Sequence, residues 1–385
     1  MRILFLFFLL LPQLVFCFPK FKSEAKYYDA ATEREYIYLR DEIEEFSKNP
    51  ALKNQLKKKI QQNIEVENHF YANRFISLLV RYSFMKEDYA TIIQLYDLSL
   101  LEEHIDSYIS YAELLDEFYS FFYQYDIISE CNFINKKVES LQNKGTGAEK
   151  EYLTFILNKI EDLRMTDESL QVKHKNITEN LSLLENLEKQ LDRSSYERKL
   201  ATQYNLLAIS YYNAFEQSNL LPQESKDLAH AISLLKKALR INADKNKYMS
   251  IIINSNLTFV LNKAGEYEEA LKYGLKSNRL LITMDTNHLL NAKVVCNLHD
   301  LYECLNDMDQ YYRLHETCKK SQQEYLEQKI NVKEKVTQYL KSNKRKVKNS
   351  FIGNHLLFIG AGIAFLFIGL FYIGFKRTTK KPKNL

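Results

Sequence analysis

Apolar positions recur three and four residues apart along most of the chain, and the pattern falls into pairs of segments. NRFISLLVRYSFMKEDYATIIQLYDLSL puts Leu79, Tyr82 and Phe84 on one helix and Tyr89, Ile92 and Tyr96 on the next, joined by a turn at Lys86–Asp88. About 36 residues on, SYAELLDEFYSFFYQYDIISECNFI repeats the plan, with Leu115 and Tyr119 before its turn and Tyr125 and Ile128 after it. Neither pair can bury its apolar face alone. Similarity at a period in the thirties therefore predicts stacked helical hairpins.

The clearest units follow. YNLLAISYY carries Tyr204, Leu207, Ala208 and Tyr211, and AHAISLLKKALRINAD carries Ala231, Leu235, Ala238 and Leu239. NSNLTFVLNKAGEYEEALKYG then has Leu257, Leu261, Gly265, Tyr267 and Ala270. Gly265 permits a tight turn, Tyr267 fills the hairpin junction, and Ala270 is small enough for two helices to approach. NLHDLYECLNDMDQYYRLHETC keeps Leu298, Tyr302 and Cys318, but has Met308 and Tyr311 where the preceding unit has Tyr267 and Ala270.

These units resemble the tetratricopeptide repeat (TPR), most closely over Tyr204–Ser277 and not at all over Glu149–Arg193. The resemblance implies a superhelix whose inner wall is built by the first helix of each hairpin and binds a peptide or protein segment. On the best-matched hairpins it makes Asn205, Tyr212, Asn213, Ser255, Phe259, Asn262 and Lys263 the candidate partner-binding residues, expected to be exposed. Each also reads as an ordinary solvated position. The hairpin holding Tyr211 and Ala231 has about eleven extra residues around EQSNLLPQES, which reads as a longer first helix and a plain loop.

Composition sharpens the class. The chain has only nine Gly and five Pro, and Gly353, Gly360, Gly362, Gly369 and Gly374 all lie in one C-terminal apolar run, so the body is nearly free of helix breakers. The formal charge is +4, yet Lys341–Leu385 holds ten basic residues and no acid, which leaves −6 for everything before it. A mildly acidic body carries no nucleic-acid footprint.

Two apolar segments bracket that body. Met1–Cys17 has an early Arg2 and an apolar core from Ile3 to Leu11, too short for a span, and reads as a cleaved secretory signal. Phe351–Phe375 is uncharged and about long enough to cross a bilayer. Five basic residues flank it on each side, so charge does not orient it; the signal does, placing the body outside the cytoplasm and Lys376–Leu385 within it. A tail-anchored cytoplasmic body is the alternative.

The expected architecture is thus all-α: a signal at 1–17, N-terminal repeats at 18–144, TPR-like repeats at 149–320, a helical stalk at 321–350, a transmembrane helix at 351–375 and a basic tail at 376–385. Gly145 and Gly147 mark the seam between the arrays. A heptad seam from Leu314 to Tyr339 is too polar for a strong coiled coil. The plan also resembles the sensory half of membrane-bound regulators of Bacteroidota, without their output domain.

Chemistry is scarce. No phosphate loop, His-Glu-x-x-His, nucleophile elbow or kinase signature occurs, and no cofactor is implied. Cys296, His299, Cys304, His315 and Cys318 suggest a metal site by composition, but they lie along two helices rather than on tight turns, and packing is the simpler reading. A disulfide is the middle option in a secreted body. Cys296 and Cys304 cannot form it, since eight helical residues span about 12 Å. Sequons at Asn176, Asn180 and Asn256 carry no information by themselves. The chain reads as a non-enzymatic, membrane-anchored interaction scaffold or adaptor, with a metal-dependent enzyme as the outlying alternative.

Overall fold

Hairpin turns in so glycine-poor a body need another way to reverse the chain, and the computed structural model shows it. Glu67, Glu87, Asp126 and Asn306 adopt left-handed backbone conformations, with φ between 54° and 56°, in the same slot that Gly265 fills at 81°. A helix-capping side chain follows three of them. Asn68 accepts from the Tyr71 amide at 3.3 Å, Asp88 from Thr91 at 3.4 Å and Asp307 from Gln310 at 3.2 Å. The reversal costs about 1–3 kcal/mol at each non-glycine site, offset by the packing it permits.

The structure describes residues 27–342, apart from 45–48, 50, 102–105, 165–169, 192, 219, 244 and 284–287. The expected signal at 1–17, transmembrane helix at 351–375 and basic tail at 376–385 lie outside these. Among the described residues no helix is long and apolar enough to cross a membrane.

The helices are α1 (Ala30–Glu44), α2 (Leu52–Glu65), α3 (His69–Met85), α4 (Tyr89–Leu101), α5 (Tyr108–Gln124), α6 (Ile128–Gln142) and α7 (Ala148–Arg164). They continue with α8 (Leu170–Leu187), α9 (Arg193–Ser218), α10 (Lys226–Asn242), α11 (Lys247–Ala264), α12 (Tyr267–Ile282) and α13 (His288–Cys304). The first compact unit ends at Ile330 and closes with a helix from 308; residues 331–342 of the second unit are helical as well. The extra residues near EQSNLLPQES do lengthen a first helix, since α9 runs for 26 residues before a short 3₁₀ turn at Pro222–Glu224.

Most helices pack on their successors, and within each array odd helices also pack on odd ones: α1 on α3, α3 on α5, α5 on α7, and again α9 on α11 and α11 on α13. That is the topology of a helical-hairpin repeat, with the odd helices forming a layer in each array. Aromatic residues fill the first array. Tyr96 lies edge-on to Phe118 and Phe122, with ring centroids 5.1 and 4.7 Å away, and its hydroxyl donates to Glu130 at 2.8 Å. The end of the unit returns to the beginning. Glu87 accepts from the His288 amide at 2.8 Å and from Gln328 at 2.5 Å, while Lys329 pairs with Asp126 at 3.0 Å.

Small residues set the spacing in the second array. Ala270 is fully buried, and a Cβ added to Gly274, one turn on, would meet Leu298 Cδ2 at 2.6 Å and Thr258 Cγ2 at 3.2 Å. Ala270→Leu and Gly274→Val should therefore each cost about 1–3 kcal/mol in urea unfolding. Wild-type midpoints for both variants would show that α12 does not approach its neighbours this closely.

Candidate functional site

A cavity of about 260 Å³ lies where the odd helices converge. Its walls come from α1, α3, α5, α7, α9 and the start of α11, including the α11 cap Asn246; no even helix contributes. The apolar share comes from residues such as Val80, Phe84, Phe121, Phe155 and Met249.

The polar share is mostly ion pairs. Arg81 Nε donates to Glu117 at 2.5 Å, and Lys159 donates to both Asp116 oxygens at 2.8 and 2.6 Å. Lys199 Nζ stands 3.1 Å from Glu113, which also accepts from the Tyr152 hydroxyl. Burial pushes the Glu113 carboxyl up, but Lys199, that hydroxyl and Arg81 outweigh it and hold the pKa at about 2. Burial lowers Lys199, which gathers less support: Glu113 and Asp116 raise it, while Arg198 and Lys159 repel it. Its ammonium also lies 5.1 Å from the centre of the Tyr152 ring. Arg81, Lys159 and Lys199 are thus each engaged by a carboxylate of α5.

Two groups on this wall are unsatisfied. Gln203 of α9 is fully buried, and neither its Nε2 nor its Oε1 finds a hydrogen-bond partner in the chain. Glu44 Oε1 is likewise unpartnered, with Arg198 Nε 3.9 Å away. A buried polar group left unmet costs about 1–3 kcal/mol, so such groups in a cavity point to something that binds there.

The residues expected on the inner wall sit on α9 and α11, toward the ends away from the cavity. Asn205, Tyr212 and Ser255, expected to be exposed, are 8%, 7% and 1% exposed. Asn205 accepts from Asn256 at 2.8 Å, and Ser255 from Asn297 at 2.9 Å. Tyr212 belongs to the core and meets Phe259 edge-on, with centroids 5.0 Å apart. Asn213, Phe259 and Asn262 are half-buried, and Lys263 alone is exposed, its ammonium 5.7 Å from the Phe259 ring. The physical reason is α9: at 26 residues it is buried on more than one side, so positions off the apolar stripe are covered too.

The Cys/His group resolves differently from simple packing. Cys296 and Cys318 are joined in a disulfide between α13 and the following helix, their Cα atoms 4.9 Å apart. His299 Nε2 lies 3.1 Å from His315 Nδ1, and His299 stacks on Tyr311. Among the described residues no group of three or more His, Cys, Asp or Glu is placed to hold a metal ion. Of the sequons, Asn180 and Asn256 are buried.

No family model matches the chain, and no curated protein matches it by sequence. A crystal structure of Rap protein complexed with Competence and Sporulation Factor is similar at a TM-score of 0.44 and 14% identity, covering 80% of this chain and 98% of that one. The likeness is loose, and the helical-hairpin architecture rests on the helix contacts themselves.

Proposed function

We propose that the chain is a membrane-anchored, TPR-like interaction scaffold or adaptor without catalytic activity, and that its cavity seats a segment of a peptide or protein partner. One observation carries this: a preformed cavity with an ion-paired wall that retains unmet buried polar groups, on the helix layer that repeat proteins present to partners. Anchoring draws on the apolar run at 351–375, and an extracytoplasmic body on the signal at 1–17. The Cys296–Cys318 disulfide favours that placement over a tail-anchored cytoplasmic body, because such bonds persist in oxidising compartments.

Ser120 lines the cavity on α5 and tests the reading by volume. Ser120→Trp in the full-length chain should fill the site, melt near the wild type, and recover partners from solubilised membranes at least about tenfold less well. Undiminished recovery by the folded variant would remove the cavity from the function.

A further inference from the structure

The ions of the cavity wall largely answer one another. Arg81 is held by Glu117, Lys159 by Asp116, Lys199 by Glu113 and, at 3.9 Å, Arg198 by Glu44, so a charged ligand of either sign would have to displace a partner already in place. What remains without a hydrogen bond is the Gln203 amide, donor and acceptor alike, and Glu44 Oε1, which has only the longer ion pair with Arg198. Their complement is one carbonyl and two N–H groups, the inventory of uncharged polypeptide backbone. Asn180 is just as buried and just as unmet, but it lines no part of this cavity.

Building on the reading that the cavity seats a partner segment, we infer that it is made for an uncharged stretch of extended backbone. One residue of that stretch would donate its N–H to Gln203 Oε1 and accept from Gln203 Nε2 at its own C=O. A second N–H would donate to Glu44 Oε1. Phe121 and Phe155 give apolar side chains of the same segment a surface to cover, so the site selects for neutrality between flanking hydrophobic residues. Gln203 is the specificity-determining residue because an amide carries donor and acceptor together, which no other unmet group on this wall does.

The test uses the full-length chain in detergent and three probes: N-acetyl-leucine N′-methylamide, its ester analogue with oxygen in place of the leucine N–H, and free N-acetyl-leucine. The ester replaces one N–H by oxygen at nearly constant shape, and the free acid adds a charge. The methylamide should bind about tenfold more tightly than the ester, the worth of roughly one hydrogen bond, and the acid should bind more weakly still. Gln203→Leu should bring the methylamide down to the ester and raise the melting temperature of the unliganded chain by a few degrees, since it removes an unmet buried amide. Gln203→Met is the second variant if leucine disturbs folding. Equal binding of amide and ester, or an amide preference that survives in the folded variants, overturns the assignment. So does a methylamide that fails to bind while Ser120→Trp still abolishes partner recovery, a result that leaves the cavity reading intact. Ser120→Trp without effect on partner recovery ends the cavity reading itself.

Discussion

Glu113→Gln should destabilise the first compact unit by about 3–5 kcal/mol, among the largest effects expected of any single substitution here. Lys199 lies beneath the α5 wall against Tyr152 and Phe155, and Glu113 is the carboxylate 3.1 Å from its ammonium. Removing that charge while keeping the shape leaves a buried ammonium facing Arg198 and Lys159, both of which repel it. About a quarter of the Glu113 side chain (24%) still meets the cavity, so solvent trims the upper end of the range. The pH dependence follows from the direction of the shift. Glu113 is held at about 2, below the ordinary 4.5, so its contribution is complete above about 4.5 and fades as pH falls toward 2. Urea unfolding of the wild type should weaken across that window, and the Gln variant should lose less there because its loss is already taken at neutral pH. A variant as stable as the wild type at pH 7 would show that Lys199 is adequately solvated without its partner.

The hairpins were legible because their signals are local. The turn at Lys86–Asp88 follows from where the apolar period resets, and Gly265 and Ala270 from steric needs that one residue declares by itself, whereas Tyr125, expected on the second helix of its hairpin, lies in the turn. Gly274 could have been read the same way: Ala270, Gly274, Ser277 and Leu281 are the buried stripe of α12, and three of the four are small. The cavity could not, because it depends on which turns of distant helices meet. Lys199 and Gln203 are one turn apart on α9 and look like an ordinary solvated face until Tyr152 of α7 and Glu113 of α5 are brought beside them. The segment Glu149–Arg193, which carries no repeat signature, supplies Phe155 and Lys159 to the wall and the Tyr152 hydroxyl that donates to Glu113. Polar residues buried by tertiary contact leave no periodic trace in sequence, whereas apolar ones do. The same blindness explains Tyr212 and Ser255, placed outside by the repeat resemblance but covered once α9 and α11 are each packed on several sides.

Loss of the Cys296–Cys318 bond should cost about 3 kcal/mol, since the closed loop, with its ends 22 positions apart, is slightly longer than one for which chain entropy gives that figure. The bond ties α13 to the helix that carries Gln328 and Lys329, and those two side chains reach back to Glu87 and Asp126 of the first array. Untying it loosens the segment that joins the end of the unit to its beginning. A Cys296→Ala, Cys318→Ala double variant should melt lower than the oxidised wild type and close to the wild type in reductant, which separates the cross-link from the packing of two small buried side chains. The same residues report on location. If the body folds in an oxidising compartment, alkylating reagent added as cells are opened should modify Cys304, whose side chain is exposed, and spare Cys296 and Cys318 until reductant is supplied. Cys131 is buried and should react only once the chain unfolds. Immediate labelling of Cys296 and Cys318 in freshly opened cells would mean that the body is kept reduced, and the extracytoplasmic placement would give way to the tail-anchored one.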